Sequence, residues 1–315
     1  MRAEQAVVPG TAGPSAAIGA SDVILVTGVT GVTGRVGYRV MEALAEAGAE
    51  ATAMVRVEAE AADLPGAGPH VVASFDDPPP PEALRAFDRV FLLSPRHEEQ
   101  AALEIVFIDA LVAAGHRPHI VKVAADGFQD PDCDVRFMRS HREVALHLGA
   151  LGLPVTYLAP SVYMETLLDA APTIRKDGAI FAPAGRGRVA LVAASDVAAV
   201  AATVLTTRGH EDQTYVLTGP EALGYADVAA RLSAVFAREV EYVNQPPERA
   251  RRAMLAQGMA RWLADGILEQ FEWIRHGGAD TVTTTVREVT GADPRPVQDW
   301  LGEQRETFLA PDPSL

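Results

Sequence analysis

Along the first half of the chain, short runs of apolar residues alternate with longer stretches in which apolar residues recur every three or four positions. The runs predict buried strands, and the stretches predict amphipathic helices. Predicted strands lie at residues 23–26, 50–56, 71–72, 89–93, 119–123 and 155–158. Predicted helices lie at about residues 36–47, 98–114 and 137–148. This alternation indicates parallel βαβ units, so we expect an α/β fold with a doubly wound parallel sheet.

Three glycines spaced by three residues connect the first predicted strand to the first predicted helix. A strand, a tight glycine turn and a helix bring backbone N–H groups and a helix N-terminus up to a pyrophosphate. We expect the glycines to supply, in turn, a positive φ, a close approach to phosphate and close helix–strand packing. The residues expected to contact a dinucleotide in this Rossmann-type turn are Gly28, Thr30, Gly31, Val32, Thr33 and Gly34.

Beyond residue 160 the pattern changes to short strands mixed with helices, which indicates a smaller mixed α/β portion. Predicted strands lie at residues 180–181, 189–192, 214–217 and 240–243, and predicted helices at 195–206, 225–236 and, in two segments, 247–275. We expect Ser195 and Asp196 to cap the helix that they begin. The expected organisation is a disordered tail (1–20), a dinucleotide-binding domain (21–160) and a substrate-binding portion (161–315), with 195–220 packing back on the sheet.

The end of the second predicted strand indicates which dinucleotide binds. A site for NAD usually has Asp or Glu at this position, where the carboxylate binds the ribose 2′-hydroxyl. Here the strand ends in Arg56, and a guanidinium suits a 2′-phosphate, which it binds in bidentate fashion. Arg35 is a second candidate contact, and Glu58 is the competing residue that would bind a 2′-hydroxyl. We therefore expect NADP(H).

Composition narrows the function further. The net charge of −15 argues against nucleic acid and anionic membranes as partners, because both would be repelled. A lone cysteine, Cys133, excludes an internal disulfide and fits a reducing compartment, so we expect a cytoplasmic protein. No apolar run is long enough to span a membrane, and the histidines show no metal-ligand spacing.

A Tyr-x-x-x-Lys pair, which supplies the acid for alcohol and ketone chemistry in many dinucleotide-dependent enzymes, is absent from this chain. The only lysines are Lys122 and Lys176, and the residues four positions earlier are Pro118 and Pro172. In that pair the lysine lowers the pKa of the tyrosine, which then exchanges a proton with the substrate. Ordinary alcohol and ketone chemistry therefore lacks its usual acid here.

Six segments together resemble the NmrA-like, atypical short-chain dehydrogenase/reductase family, over about residues 23–308. They are VTGVTGVTG at 26–34, AMVR at 53–56, DRVFLLSP at 88–95, GLPVTYLAP at 152–160, DVA at 196–198 and YVLTGP at 215–220. The resemblance implies a Rossmann fold that binds NADP(H). It implies either a quinone or enone reductase or a regulatory protein that binds the dinucleotide without chemistry.

The resemblance also places the loop that contains Ser94 and Pro95 against the cofactor. Lys122 lies in the fifth predicted strand, from whose end its amine could reach a ribose. Both expectations add to the cofactor contacts predicted from the glycine turn.

Candidate catalytic residues also follow from the resemblance. His141 matches a histidine frequent in the family at this spacing, and Tyr163 follows the sixth strand where relatives place aromatic residues that line the substrate site. Asp126 follows the fifth strand, where relatives commonly carry serines, and it could move a proton.

The function expected from the sequence is NADPH-dependent hydride transfer to a conjugated carbonyl or quinone. Such acceptors delocalise charge and do not need a strong general acid, which fits the missing Tyr-x-x-x-Lys pair. The substrate is expected to be small and apolar or aromatic, and the protein a monomer or homodimer. Two alternatives remain: an NADP(H) sensor without turnover, and a non-redox isomerase or cyclase in which His141, Asp126 or Tyr163 moves protons.

Overall fold

The computed structural model of the protein describes residue 17 and residues 22–30, 34–65 and 68–310, without the side chains of Gly34 and Arg35. The contacts predicted for Gly31, Val32 and Thr33 therefore lie outside the described residues. The same holds for the side chains of Gly34 and Arg35 and, apart from residue 17, for the predicted tail.

Strands and helices alternate through most of the described chain. The strands are β1 (Ile24–Val26), β2 (Ala51–Val55), β3 (His70–Val72), β4 (Arg89–Leu92), β5 (His119–Val123), β6 (Val155–Pro160), β7 (Ala179–Ala182), β8 (Arg188–Val189), β9 (Thr214–Leu217), β10 (Leu223–Gly224) and β11 (Glu241–Asn244). The helices are α1 (Gly34–Glu46), α2 (Pro81–Leu84), α3 (Gln100–Ala113), α4 (Arg136–Leu151), α5 (Ala171–Asp177), α6 (Ala194–Thr206), α7 (Tyr225–Phe236), α8 (Pro247–Ala256), α9 (Arg261–Arg275), α10 (Thr285–Thr290), α11 (Val297–Glu303) and α12 (Arg305–Leu309).

Seven of the described strands form one parallel sheet in the order β3-β2-β1-β4-β5-β6-β9. Strand order reverses between β1 and β4, the point at which such sheets bind ligands beyond the carboxyl ends of their strands. The predicted doubly wound α/β class is confirmed.

Helices cover both faces of this sheet, which explains why its strands are almost continuously apolar. In β1 all three residues are fully buried. The predicted apolar stripe of α1 packs on one face, together with α6, through Val36, Val40 and Leu44. On the other face, α3 and α4 bury a second cluster that includes Phe107.

The chain beyond β6 divides between the sheet and a separate core. β9 joins the sheet beside β6, whereas β7 pairs with β11 and β8 with β10 in two small sheets. Leu232 and Trp300 are buried in the cluster that these small sheets share with α5, α7, α11 and α12. Within the described part of the chain, none of the helices has the length and apolar character needed to span a bilayer.

Two local predictions in this half are wrong. The strand predicted at residues 189–192 is replaced by the shorter β8 at 188–189, because only Arg188 and Val189 pair with β10. Helix α6 begins after Ala193, and the side chains of Ser195 and Asp196 do not cap it. Instead the Glu165 carboxylate accepts the Ala194 N–H at 3.2 Å, and Asp196 accepts the N–H of Arg295 at 2.8 Å.

Candidate active site

The turn after β1 is tied to the end of β4 by the buried side chain of Thr27. Its hydroxyl lies 3.0 Å from the carbonyl oxygens of Phe91 and Leu93 and accepts the Leu93 N–H at 2.9 Å. The next residue, Gly28, has φ +68°, and a Cβ added there would lie 2.5 Å from the Leu93 carbonyl oxygen. Glycine is therefore required at this position both for its φ and for the close approach of the two loops.

Helix α1 approaches the same turn at Gly37, a glycine outside the predicted triplet. A Cβ added to Gly37 would overlap the Gly28 carbonyl oxygen and lie 3.0 Å from the Val29 Cα. Gly37 thus provides close packing between this helix and the turn. This packing brings the N-terminal end of α1 against the turn after β1, which is the arrangement that binds a pyrophosphate.

At the end of β2, Arg56 is exposed and pairs with an acidic residue. The acid is Glu60, whose Oε1 lies 2.5 Å from Arg56 Nη2. Glu60 Oε2 also accepts the Arg56 N–H at 2.9 Å and the Thr30 hydroxyl at 3.0 Å. Glu58, the competitor considered from the sequence, instead lies 3.0 Å from His70. The acid beside the predicted ribose site is therefore Glu60.

A cavity of about 130 Å³ opens at the carboxyl ends of β4, β5 and β6, and Leu93, one of its lining residues, packs against Gly28 in the turn after β1. The strand ends and the loops after them line it with residues 93–94, 123–126 and 160–163. Helix α4 contributes Phe137, Met138 and His141, and α9 contributes Gln270 and Trp273. Its walls combine apolar and aromatic side chains with polar ones, among them the charged Arg96 and Asp126.

Helix α9 is held over the cavity by its contact with α4. The Arg136 guanidinium forms a bidentate pair with Glu269, with N–O distances of 2.6 and 2.9 Å. Gly266 lets the helices approach, because a Cβ there would collide with the Phe137 ring. The smaller C-terminal portion therefore supplies one wall of the cavity.

A buried ion pair lies beneath this cavity. Lys122 Nζ is 3.0 Å from Glu104 Oε2, and both side chains are almost completely buried. Glu104 Oε1 accepts the Ser94 hydroxyl at 2.5 Å and the Gln100 amide at 3.3 Å. Burial lowers the pKa of Lys122, and Glu104 opposes that effect. Lys122 does not line the cavity, so its position does not support the expected contact with a ribose.

His141 lies between this ion pair and the cavity. Its Nδ1 is 3.4 Å from Lys122 Nζ. Burial, together with the positive charges of Lys122 and Arg96, holds the pKa of His141 well below its usual range. The imidazole is therefore neutral at pH 7. Because an ammonium group only donates hydrogen bonds, Nδ1 is the acceptor and the ring proton resides on Nε2.

Two buried hydroxyls that line the cavity have no hydrogen-bond partner among the described residues. They belong to Ser161 and Tyr163, which follow β6 and line the cavity. Burial raises the pKa of Tyr163, and the nearby charge of Glu165 raises it further. Tyr163 therefore keeps its proton at neutral pH. Buried polar groups rarely remain unpaired, so both hydroxyls are suited to bind a polar atom of a ligand.

The remaining predicted residues lie at the edge of this arrangement. Asp126 lines the cavity, and its N–H donates to the Pro160 carbonyl at 2.9 Å. Ser94 also lines it, but its hydroxyl is engaged by Glu104. Pro95 is exposed in the loop after β4. No group of acidic, histidine and cysteine side chains in the described ranges is arranged to hold a metal ion.

Comparison with known proteins places this site in a family. Residues 21–290 match the NmrA-like family. The chain belongs to this family. The resemblance seen in the sequence motifs is therefore confirmed.

Two relatives of known activity align over nearly the whole chain. An NAD(P)H azoreductase from Xenophilus azovorans is 36% identical over 284 residues, which are 90% of this chain and 99% of the relative. A (4-alkanoyl-5-oxo-2,5-dihydrofuran-3-yl)methyl phosphate reductase from Streptomyces griseus is 36% identical over 290 residues, or 89% of this chain and 98% of the relative.

The fold is also that of a solved structure. The Escherichia coli NADPH-dependent quinone oxidoreductase, crystallised with NADPH, superposes with a TM-score of 0.80 and 24% identity. The superposition covers 90% of this chain and 99% of the quinone oxidoreductase. At this level of identity the likeness shows a shared fold.

Sequence reasoning missed several residues of this NmrA-like site, among them Gly37, Glu60, Glu104 and Ser161. Glu104 carried a signal, since it is a lone charge within the apolar stretch 101–108 of a helix expected to be buried. Glu60 lies four residues after Arg56, the spacing at which opposite charges pair on a helix. For Gly37 the signal is weaker, because glycine inside a helix becomes informative only when the neighbouring turn is known.

Proposed function

We propose that this NmrA-like protein is an NADPH-dependent reductase that transfers hydride to a conjugated carbonyl or quinone-type small molecule. The observation that carries the proposal is the cavity at the carboxyl ends of β4, β5 and β6. It joins apolar and aromatic walls to hydrogen-bonding groups, which include His141, Tyr163 and the guanidinium of Arg96, near a glycine turn suited to a dinucleotide. The names of the azoreductase and the quinone oxidoreductase support the same chemistry.

The residues present fit a dinucleotide. Gly28 and Thr30 lie at the switch point of the sheet, and Gly37 packs α1 against their turn. Arg56 lies at the end of β2, where a 2′-phosphate would meet its guanidinium. Gly31, Val32, Thr33, Gly34, Arg35, Ser94 and Pro95 remain predicted contacts. When bound, NADPH would supply the hydride.

His141 is the proposed hydrogen-bond donor to the substrate oxygen. Its Nδ1 faces the Lys122 ammonium, so its Nε2–H is free to donate to a substrate oxygen. A neutral donor stabilises developing negative charge without binding an anionic product too tightly to release. Lys122 is thus a positioning residue, which selects the tautomer, and Glu104 holds the lysine in place.

Tyr163 and Ser161 are proposed to orient the substrate in the cavity. Both hydroxyls are buried and lack partners among the described residues, so a carbonyl oxygen entering the cavity would satisfy them. Trp273 supplies flat apolar surface for an aromatic acceptor, whereas the Phe137 ring is stacked by the Arg96 guanidinium, whose carbon lies 4.3 Å from the ring centroid. The same walls exclude water from the transferred hydride.

The test is NADPH oxidation against a panel of naphthoquinones, cyclic enones and azo dyes, with NADH in parallel. We expect substrate-dependent oxidation that is faster with NADPH. A Trp273→Ala variant should raise KM for the aromatic acceptors, while Trp262→Ala, which changes a tryptophan outside the cavity lining, should raise it less. Tight NADPH binding without oxidation of any acceptor would contradict the proposal and favour a sensor.

The cellular compartment, oligomeric state and partners of the protein are also part of the proposal. Cys133 is buried and unpaired, which fits the reducing cytoplasm. We propose a monomer or homodimer that acts on small molecules, with no nucleic-acid or membrane partner. Under the alternative isomerase or cyclase function, Asp126 would join His141 and Tyr163 in moving protons.

A further inference from the structure

Glu60 bridges two segments that are far apart in sequence. It lies in the 3₁₀ helix Glu58–Asp63, and its carboxylate turns back onto the end of β2. There it accepts the Arg56 N–H at 2.9 Å and lies 2.5 Å from the Arg56 guanidinium. The third donor is the Thr30 hydroxyl, at 3.0 Å, from the glycine turn after β1.

These three donors form a set suited to an anion. A guanidinium, a backbone N–H and a hydroxyl are the groups that bind phosphate in proteins. They converge where the turn after β1 meets the end of β2, which is where Rossmann folds bind the adenosine ribose and its 2′ substituent. The Glu60 carboxylate thus occupies the place that a 2′-phosphate would take.

Glu60 is ionised in this position. Burial raises its pKa, but the hydrogen bonds from Arg56 and Thr30 outweigh that effect and leave the pKa below its usual range. A phosphate cannot share these donors with the carboxylate, because the two anions repel each other at contact distance. Glu60 retains 19% exposure and Arg56 retains 64%, so the carboxylate has a path into solvent.

We propose that Glu60 determines cofactor specificity by competing with the 2′-phosphate for Arg56 and Thr30. With NADPH, the carboxylate is displaced and Arg56 binds the phosphate. With NADH, the carboxylate stays and accepts a hydrogen bond from the ribose 2′-hydroxyl. The inference rests on the dinucleotide site of the proposed function. It implies that the protein can bind both NADPH and NADH.

Binding of cofactor fragments tests this without any hydride transfer. Adenosine 2′,5′-bisphosphate and 5′-AMP are titrated calorimetrically into the wild type, Glu60→Gln and Glu58→Gln. Glu60→Gln should tighten the bisphosphate about tenfold and leave 5′-AMP unchanged or weaker, since a competing charge is removed. Glu58→Gln is the matched control, because Glu58 pairs with His70 away from this site. It should change neither affinity.

A double variant tests whether any gain in affinity in Glu60→Gln depends on Arg56. Adding Arg56→Ala to Glu60→Gln should abolish the gain in bisphosphate affinity, because the released guanidinium is the group that binds the phosphate. An unchanged ratio of the two affinities in Glu60→Gln would overturn the role of Glu60 alone. If neither fragment nor NADPH binds the wild type, both the dinucleotide site and the proposed function are wrong. If the fragments bind as expected but no acceptor is reduced, only the proposed function is wrong.

Discussion

At the scale of single residues, the most informative side chain is His141, whose hydrogen-bonding state depends on its burial and on Lys122, a neighbour that does not line the cavity. A histidine with its usual pKa would be partly charged near neutral pH, and its imidazolium form would be a stronger proton donor than a neutral imidazole. Here burial and the charges of Lys122 and Arg96 depress the pKa of His141, so the residue acts as a neutral donor. Such a donor suits acceptors that delocalise their charge.

His141→Ala should therefore lower kcat for quinone reduction by roughly tenfold to a hundredfold, the value of one hydrogen bond to developing charge. The affinity for NADP⁺ should change little. His141→Gln keeps an N–H donor and should restore part of kcat. Steady-state kinetics and calorimetry measure both quantities.

His147→Ala is the matched control for this experiment. His147 lies on the same helix, α4, where it pairs with Asp109 at 2.7 Å and does not line the cavity. It should leave kcat unchanged. Equal loss of kcat in the two variants would show that His141 acts only through the stability of α4.

At the scale of elements, the close contact of α1 with the turn after β1 depends on the absence of a side chain at Gly37. Gly37→Ala should lower the free energy of unfolding by about 1–3 kcal/mol, because the added methyl overlaps the Gly28 carbonyl oxygen. It should also weaken NADP⁺ binding, since the end of α1 must move. Urea unfolding and cofactor titration measure the two effects.

Gly149→Ala provides the opposite expectation in another helix. Gly149 lies within α4, and a Cβ there meets nothing within 4 Å. This substitution should stabilise the protein by about 0.5–1 kcal/mol through helix propensity. Stabilisation by both substitutions would contradict the tight approach at Gly37.

Elements were more predictable from the sequence than the site was. The bounds of β5 and α7 follow from local periodicity, because their apolar positions repeat within the segment itself. Glu60 and Glu104 act through partners 30 residues earlier and 18 residues later, and nothing in a local pattern specifies those pairs. His141 was placed at the site by family resemblance, but its tautomer depends on Lys122 and required the structure.

At the scale of the whole molecule, the two edges of the sheet have different polar chemistry. The carboxyl edge holds the cavity, whereas the amino edge of β4 and β5 holds a buried network. There the Arg89 guanidinium donates to His119 Nδ1 at 3.1 Å, and His119 Nε2 lies 2.8 Å from the Thr156 hydroxyl. These contacts require neutral His119 with its proton on Nε2.

This network makes the stability of the whole fold depend on pH. Burial, followed by the charge of Arg89, lowers the pKa of His119 from 6.5 to about 4. Between these values the unfolded chain binds a proton that the folded chain does not, so stability is fully present above pH 6.5 and falls as the pH decreases towards 4. The loss amounts to about 3 kcal/mol for this residue.

Replacement of His119 by glutamine separates this effect from the titration of carboxylates. Gln can accept from Arg89 and donate to Thr156 without binding a proton, so His119→Gln should flatten the decline in unfolding free energy between pH 7 and pH 5. His70→Gln removes an exposed histidine at the edge of the sheet and should keep the wild-type slope. Urea unfolding at a series of pH values measures the slopes. An equally steep decline in His119→Gln would mean that carboxylates or His210, whose pKa burial also lowers, dominate the acid sensitivity.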